Sequence, residues 1–208
     1  MIITYLGKQF FKIQKGDLTL ALNPISKDSE YKEKFSSFGA NLALITINHP
    51  YFNGQETVSH GETKPLVING PGDYEVKNIF IKGILNKIII DKKEFINTIY
   101  LLSIDKINIC FLGLINDPKL PDKIRQLINA PDILFIPIGG GNVLSPSEAY
   151  KLSLSFNSKI IIPMDYDKNS LNTFLKEGGR EKIQTINKLN IKKKDIEDKE
   201  GEIIVLDY

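Results

Sequence analysis

The chemistry open to this chain is bounded by a short inventory: two histidines, His49 and His60, and one cysteine, Cys110, in 208 residues. A zinc site draws about three or four protein ligands from Cys, His and carboxylates, so a site here would have to lean on Asp and Glu. Cys110 lies inside an apolar run and reads as a small core hydrophobe; without a second cysteine it forms no internal disulfide. His49 stands in a turn-forming segment, residues 48–54, with Tyr51 and Phe52, and is expected to be a satisfied turn histidine. His60 lies in a polar loop beside Glu62 and needs no function. Gly139-Gly140-Gly141-Asn142 is the best candidate for ligand binding, because glycine-rich backbone after a strand can approach a ligand and turn N–H groups toward an anion. The same run also suits a tight turn into a helix, with Ser145 as N-cap, Pro146 at the first helical position and Glu148 at the third. Ser147 has no base beside it and is not read as a nucleophile. Asp73 reads as the cap of the turn after Gly72.

The elements that must position these residues are mostly short strands. Residues 107–112, 133–138 and 159–163 are apolar runs bounded by Pro and Gly, the pattern of strands buried on both faces. Residues 122–129 and 147–156 have helical periodicity and would cover such a sheet, giving an α/β layer architecture with sites expected at the strand ends. Before this stretch, residues 1–6, 10–13 and 18–22 predict a β-meander, and residues 42–47 a central strand. Residues 26–37 predict a surface helix or ordered loop held by Tyr31 and Phe35. Residues 65–68, 74–76, 79–84, 87–90 and 98–104 predict hairpins, with turns at 83–86 and 91–97, so an antiparallel component joins the α/β part. After it, residues 167–177 predict a helix stopped by Gly178-Gly179, residues 182–186 a short strand, and residues 203–206 a closing strand paired with the N-terminal ones.

Composition narrows the function classes. The chain has 27 Lys plus Arg against 25 Asp plus Glu, a net charge of +2, which gives no argument for nucleic acid as partner. The Lys192-Lys193-Lys194 run is followed at once by acidic residues and reads as a solvated face. No cationic leader precedes a long apolar stretch, and no apolar run approaches the roughly 20 residues of a membrane span, so a cytoplasmic protein without membrane contact is expected. Residues 1–208 are read as a single domain.

Taken in order, ITYLGKQFFKI, LALITINHPYFN, VINGPGDYEVKNIFIKGI, ICFLGL, DILFIPIGGGNVLSPSEAYKL and KIIIPMDY resemble the metallo-β-lactamase-fold superfamily, specifically the small metal-dependent hydrolases related to L-ascorbate-6-phosphate lactonase. The resemblance implies an α/β, four-layer αββα sandwich with metal held where the strand-end loops converge. It also implies a ligand pattern that this chain has lost. The family's Thr-His-x-His-x-Asp-His falls on Thr46, Ile47, His49, Tyr51 and Phe52, so one of four ligands survives. Its His-Leu-Gly-Asp falls on Phe111 to Leu114, and the histidine of its Ile-Pro-Met-His-Tyr on Asp165. The histidine that often follows Tyr-Leu-Gly is Lys8, and the frequent Asp-Pro is Asn23-Pro24.

Apolar side chains offer no imidazole, a tyrosinate ligand would need a pKa well below about 10, and Leu114 supplies no bridging carboxylate between two cations. The expectation is therefore a metal-free, catalytically degenerate pseudoenzyme with a structural or protein-binding role, self-associating or engaging a protein partner. No cofactor is expected, with zinc or manganese as the alternative. The alternative is a divergent metal-dependent hydrolase of a small phosphorylated or lactone-like substrate, built on His49, Asp165 and the glycine loop. In the inherited geometry His49 and Asp165 could pair, either as a structural salt bridge or as a water-activating base. Tyr51, Phe52, Phe111 and Leu114 are expected to converge on the former cleft, filling it or forming an apolar surface.

Overall fold

The computed structural model describes residues 1–31, 37–90, 92–180 and 183–208. The chain opens with β1 (Ile2–Tyr5), β2 (Phe11–Lys15) and β3 (Leu18–Leu22), an antiparallel meander in which Ile3, Tyr5, Phe11, Ile13, Leu20 and Leu22 turn to one face. β4 (Leu42–Leu44) and β5 (Leu66–Ile68) then add in parallel beside β3. A long hairpin follows: β6 (Gly72–Val76), β7 (Ile79–Ile90) and β8 (Lys93–Ile104) pair antiparallel, and β9 (Ile107–Phe111) returns along β8. Next come α1 (Asp122–Leu127), β10 (Ile133–Pro137), α2 (Pro146–Leu154), β11 (Ile160–Met164) and α3 (Lys168–Glu177). The chain closes with β12 (Leu189–Asn190) and β13 (Glu202–Ile203).

Two sheets result, of order β12-β1-β2-β3-β4-β5 and β13-β11-β10-β9-β8-β7-β6. Their facing surfaces share one apolar core, and helices flank the pair, as the resemblance implies. Alternation along each strand explains the layers. Ile109, Phe111, Ile133, Phe135, Ile160 and Ile162 point between the sheets, whereas Cys110, Leu112, Leu134, Ile136 and Ile161 point to the helices, against Ala149, Leu152, Phe156 and Phe174. Outside the first sheet, Phe10, Ala21, Ala43 and Val58 form a third cluster, with Val58 on a 3₁₀ turn at Gln55–Val58.

The capping expected at Ser145 is present: Ser145 Oγ accepts from Glu148 N, and Glu148 Oε2 accepts from Ser145 N at 3.1 Å, with Pro146 in the first turn. Asp167 caps α3 in the same way through Ser170.

Several sequence expectations need correction. The strand from residue 42 ends at Leu44, because Thr46 turns its N–H to the Asn23 side chain rather than to a neighbouring strand. No turn interrupts residues 79–90, and β8 begins at Lys93. Along β7 burial changes face at Gly83: Ile79 and Ile81 are buried between the sheets, whereas Ile84 packs under the helices and Ile88 against the strand-end loops. Each covering layer reaches only half of the hairpin, so in sequence the strand loses phase and looks broken. The closing segment does not join the N-terminal strands. β13 lies parallel to β11, and β12 takes the place beside β1; both are short apolar stretches, and nothing local distinguishes their sheets. Of the strand expected at 182–186, Lys182 lies outside the described residues and Ile186 makes only a bridge to Leu206. Phe35, expected to help hold the segment after β3, also lies outside them.

Candidate functional site

The turn after β1 and the loops after β4, β9, β10 and β11 converge at one end of the sandwich, as expected of strand ends in layered α/β folds. They enclose a cleft of about 690 Å³. Lys8, His49, Tyr51, Phe52, Leu114, Gly139, Gly140, Asn142 and Asp165 all line it, so the structure brings together most of the residues singled out from the sequence. Gly141 is exposed in the same turn. Phe111 does not reach the cleft. It is fully buried between the sheets, edge-on to Phe11 and Phe135, because its position on β9 points inward. Phe52 and Leu114 instead pack with Ile47, Ile88 and Val143 into a small cluster that walls the cleft without filling it.

The polar wall is built on the β1 turn. Lys8 and Asp165 both have left-handed backbones, φ 53°, and are joined main chain to main chain: Asp165 N donates to Lys8 O at 2.6 Å, and Tyr5 Oη donates to the same carbonyl at 2.7 Å. Their side chains meet as well, with Lys8 Nζ 3.3 Å from Asp165 Oδ1. Burial disfavours the Lys8 ammonium, but Asp165 and Tyr31 outweigh it and hold the pKa above the ordinary lysine value. Gln9 Nε2 donates to Asp165 Oδ2 at 3.2 Å, and Gln9 Oε1 accepts from Asn23 Nδ2 at 3.1 Å. Asn23 Nδ2 also donates to Thr46 Oγ1, and Thr46 N donates to Asn23 Oδ1. A chain of amides thus runs from the cleft carboxylate into the core. On the opposite wall, Asn97 accepts from Leu114 N and donates to Leu112 O, fixing the loop after β9. Gly113 beside it is obligatory: at φ 64°, a Cβ there would lie 2.4 Å from Asn97 Oδ1. The sequence reading missed Gln9 and Asn97 as parts of the site and named Thr46 only as the first residue of the family motif; the one signal for Asn97 was a polar residue ahead of an apolar strand.

These residues do not fit a metal. Ile47 and Leu114 are buried aliphatics. Tyr51 donates to Glu30 at 2.7 Å, a bond that raises its pKa, opposite to what a tyrosinate ligand needs. Asp165 is engaged by Lys8 and Gln9. Among the described residues, no group of three or more His, Cys, Asp or Glu is placed to hold a metal ion. Nor do His49 and Asp165 pair in any described contact. His49 Nδ1 instead accepts from Tyr51 N at 3.3 Å, and its ring lies edge-on to that of Tyr51.

The remaining candidates lie outside this cleft. His60 is exposed and bridges Thr63 through its backbone, while Ser147 Oγ donates to Glu177 at 2.5 Å. Asp73 is an exposed member of β6 facing Lys82 at 3.6 Å rather than a turn cap, since Gly72 already belongs to the strand. Burial pushes the Cys110 thiol well above its usual range, so it is inert at neutral pH. Lys193 of the lysine run reaches back 2.7 Å to the buried Asp132.

Burial also holds His49 below its ordinary value. As pH falls, the unfolded chain protonates here first, so this group's contribution is undiminished above about pH 6.5 and is lost as pH drops through that value toward the folded pKa. Between about pH 7 and about pH 5, the melting temperature of the wild type is expected to fall more steeply than that of His49→Gln. Parallel melting profiles across that range would show that His49 is equally hydrated in both states.

The family model described as beta-lactamase superfamily domain matches residues 2–165. Similar solved structures include a metallo-β-lactamase superfamily protein from Thermotoga maritima, 24% identical over 99% of this chain and 97% of that one, with a TM-score of 0.76. A metallo hydrolase from Ignicoccus hospitalis is 18% identical over 92% and 99%, TM-score 0.61. A metallo-β-lactamase fold protein from Bacillus subtilis is 9% identical over 98% and 95%, TM-score 0.64. These similarities show the fold. No curated protein sequence matches the chain.

Proposed function

The chain belongs to the beta-lactamase superfamily domain family, and we propose that it is a catalytically degenerate, metal-independent member with a structural or protein-binding role. One observation carries this reading: at the strand ends where a metal would sit, Asp165 is paired with Lys8, and of the other family ligand positions His49 keeps an imidazole whereas Ile47, Tyr51, Phe52 and Leu114 do not and Phe111 is buried between the sheets. Loss of one ligand would weaken a metal site. Replacement of most of them, with an ammonium brought to the carboxylate that stands at one of these positions, removes both the donors and the negative charge that a divalent cation needs.

A binding role is supported by the long hairpin, where Leu85, Ile89 and Ile96 are 45%, 65% and 51% exposed. Apolar groups exposed on a long hairpin suit a protein partner, with self-association as the simplest case. The open cleft favours a second reading, a small-molecule site related to the lactonase group, with Asn142 and the glycine turn as ligand contacts. That reading gives His49 and Asp165 a hydrolytic role on a phosphorylated or lactone-like substrate.

The test is metal content per chain by elemental mass spectrometry, after purification without chelator and dialysis against trace Zn²⁺ and Mn²⁺, with mass in solution by light scattering on the same sample. The expected result is far less than one ion per chain and a mass above that of the monomer. One or two tightly held ions would overturn the metal-independent reading, and a strictly monomeric mass would remove self-association from it.

A further inference from the structure

The cleft holds a cation that the chain itself supplies. Lys8 Nζ lies 3.3 Å from Asp165 Oδ1, 4.6 Å from the ring centre of Tyr31 and 5.8 Å from that of Tyr51. A carboxylate together with aromatic rings, whose π faces carry negative charge, is the arrangement that binds organic ammonium ions. The two rings pack edge to face at 5.4 Å, and Tyr51 is anchored by Glu30. The cage is therefore held from the segment after β3, the loop after β4 and the loop after β11. The Lys8 stem enters from a fourth place, the β1 turn, whose carbonyl is fixed by Tyr5 and by Asp165 N.

Charge at this end points the same way. Among the described residues lining the cleft, Lys8 is the one Lys or Arg, set against Asp165 and Asp167. Without Lys8 the charged side chains lining the cleft would be the carboxylates of Asp165 and Asp167, beside the rings of Tyr31 and Tyr51, a balance that favours a cation over an anion. A side-chain ammonium carries one charge and donates hydrogen bonds, so it needs neither the imidazoles nor the bridging carboxylate that a pair of divalent ions requires.

We propose that Asp165, Tyr31 and Tyr51 form an ammonium cage whose resident cation is Lys8, that this tethered cation holds the β1 turn and the loops after β4 and β11 together in place of a metal, and that the cage emptied of Lys8 takes a primary alkylammonium ion. The proposal rests on the metal-independent reading above and deepens it.

The experiment is chemical rescue of full-length Lys8→Ala. Alanine keeps Cβ, so the atoms removed correspond to n-propylammonium. The variant is expected to melt about 4–8 °C below the wild type. It should recover at least half of that loss with n-propylammonium chloride, saturably, and recover little with 1-propanol or with KCl at the same ionic strength. The double variant Lys8→Ala, Asp165→Asn should not respond to the amine. Equal rescue by the alcohol, or unchanged melting of Lys8→Ala, would overturn the cage.

Should Lys8→Ala fail to fold, Asp165→Asn keeps the proposal testable. Amine acylation of Lys8, read by mass spectrometry, should then be several-fold faster than in the wild type, and unchanged labelling would overturn the proposal. Metal held by the wild-type chain would defeat the underlying reading. Failure of rescue in a metal-free protein would defeat the cage alone.

Discussion

Alanine at Gly139 is expected to lower stability by about 3 kcal/mol, equivalent to a fall in melting temperature of roughly 6–12 °C for a chain of this size. The cause is a clash with backbone. A Cβ at this position would lie 2.2 Å from the carbonyl oxygen of Asp165, and no rotamer change can move a main-chain oxygen. The ends of β10 and β11 would have to part just beyond the Ile138 N to Met164 O bond. Separation there would also draw Asp165 N away from Lys8 O, opening the cleft wall from behind. The neighbouring glycines provide the control. Alanine at Gly140 would meet nothing within 4 Å and would face only a left-handed backbone, φ 74°, a cost of about 1–2 kcal/mol. Chemical denaturation of both variants decides the matter. If Gly140→Ala proves as damaging as Gly139→Ala, the close approach of β10 and β11 is not what requires a glycine at residue 139.

Legibility followed the range of the forces involved. The runs in β10 and β11 could be read because parallel strands buried on both faces need unbroken apolar sequence, and the start of α2 because a capping box is complete within four residues. Phe111 was misplaced for lack of one fact, the side of β9 on which it falls, which only pairing with β8 and β10 decides. The hairpin of β7 and β8 was read as broken because its burial is set by which layer happens to lie over each half. In the site, the residues standing where the resemblance implies metal ligands were legible one by one. The contacts they make were not, because Gln9 and Asp165 are 156 residues apart and neither charge nor periodicity announces their meeting. Lys8 and Asp165 each read alone as a substitution; together they form an ion pair.

The chain of amides behind that pair sets the second large expectation. Asn23→Ala should cost about 3 kcal/mol or more. Asn23 is fully buried with φ 45°, a conformation that asparagine tolerates and alanine does not favour. Its side chain accepts from Thr46 N at 2.8 Å and donates to Gln9 Oε1 and Thr46 Oγ1. Truncation leaves a buried N–H and a buried amide oxygen without partners, and the penalty for each exceeds what a hydrogen bond ordinarily contributes.

The contrast with Asn23→Asp is the sharper test, since a carboxylate is the group that the family resemblance implies at this position. In this chain an aspartate would lose both donor bonds and set its charge against Gln9 Oε1. Gln9 could respond only by turning its amide and releasing Asp165. Urea denaturation is expected to place both variants well below the wild type with an unchanged m value. An Asn23→Asp variant as stable as the wild type would mean that the floor of the cleft accommodates a carboxylate at this position. Loss of stability would mean that it is built for neutral amides.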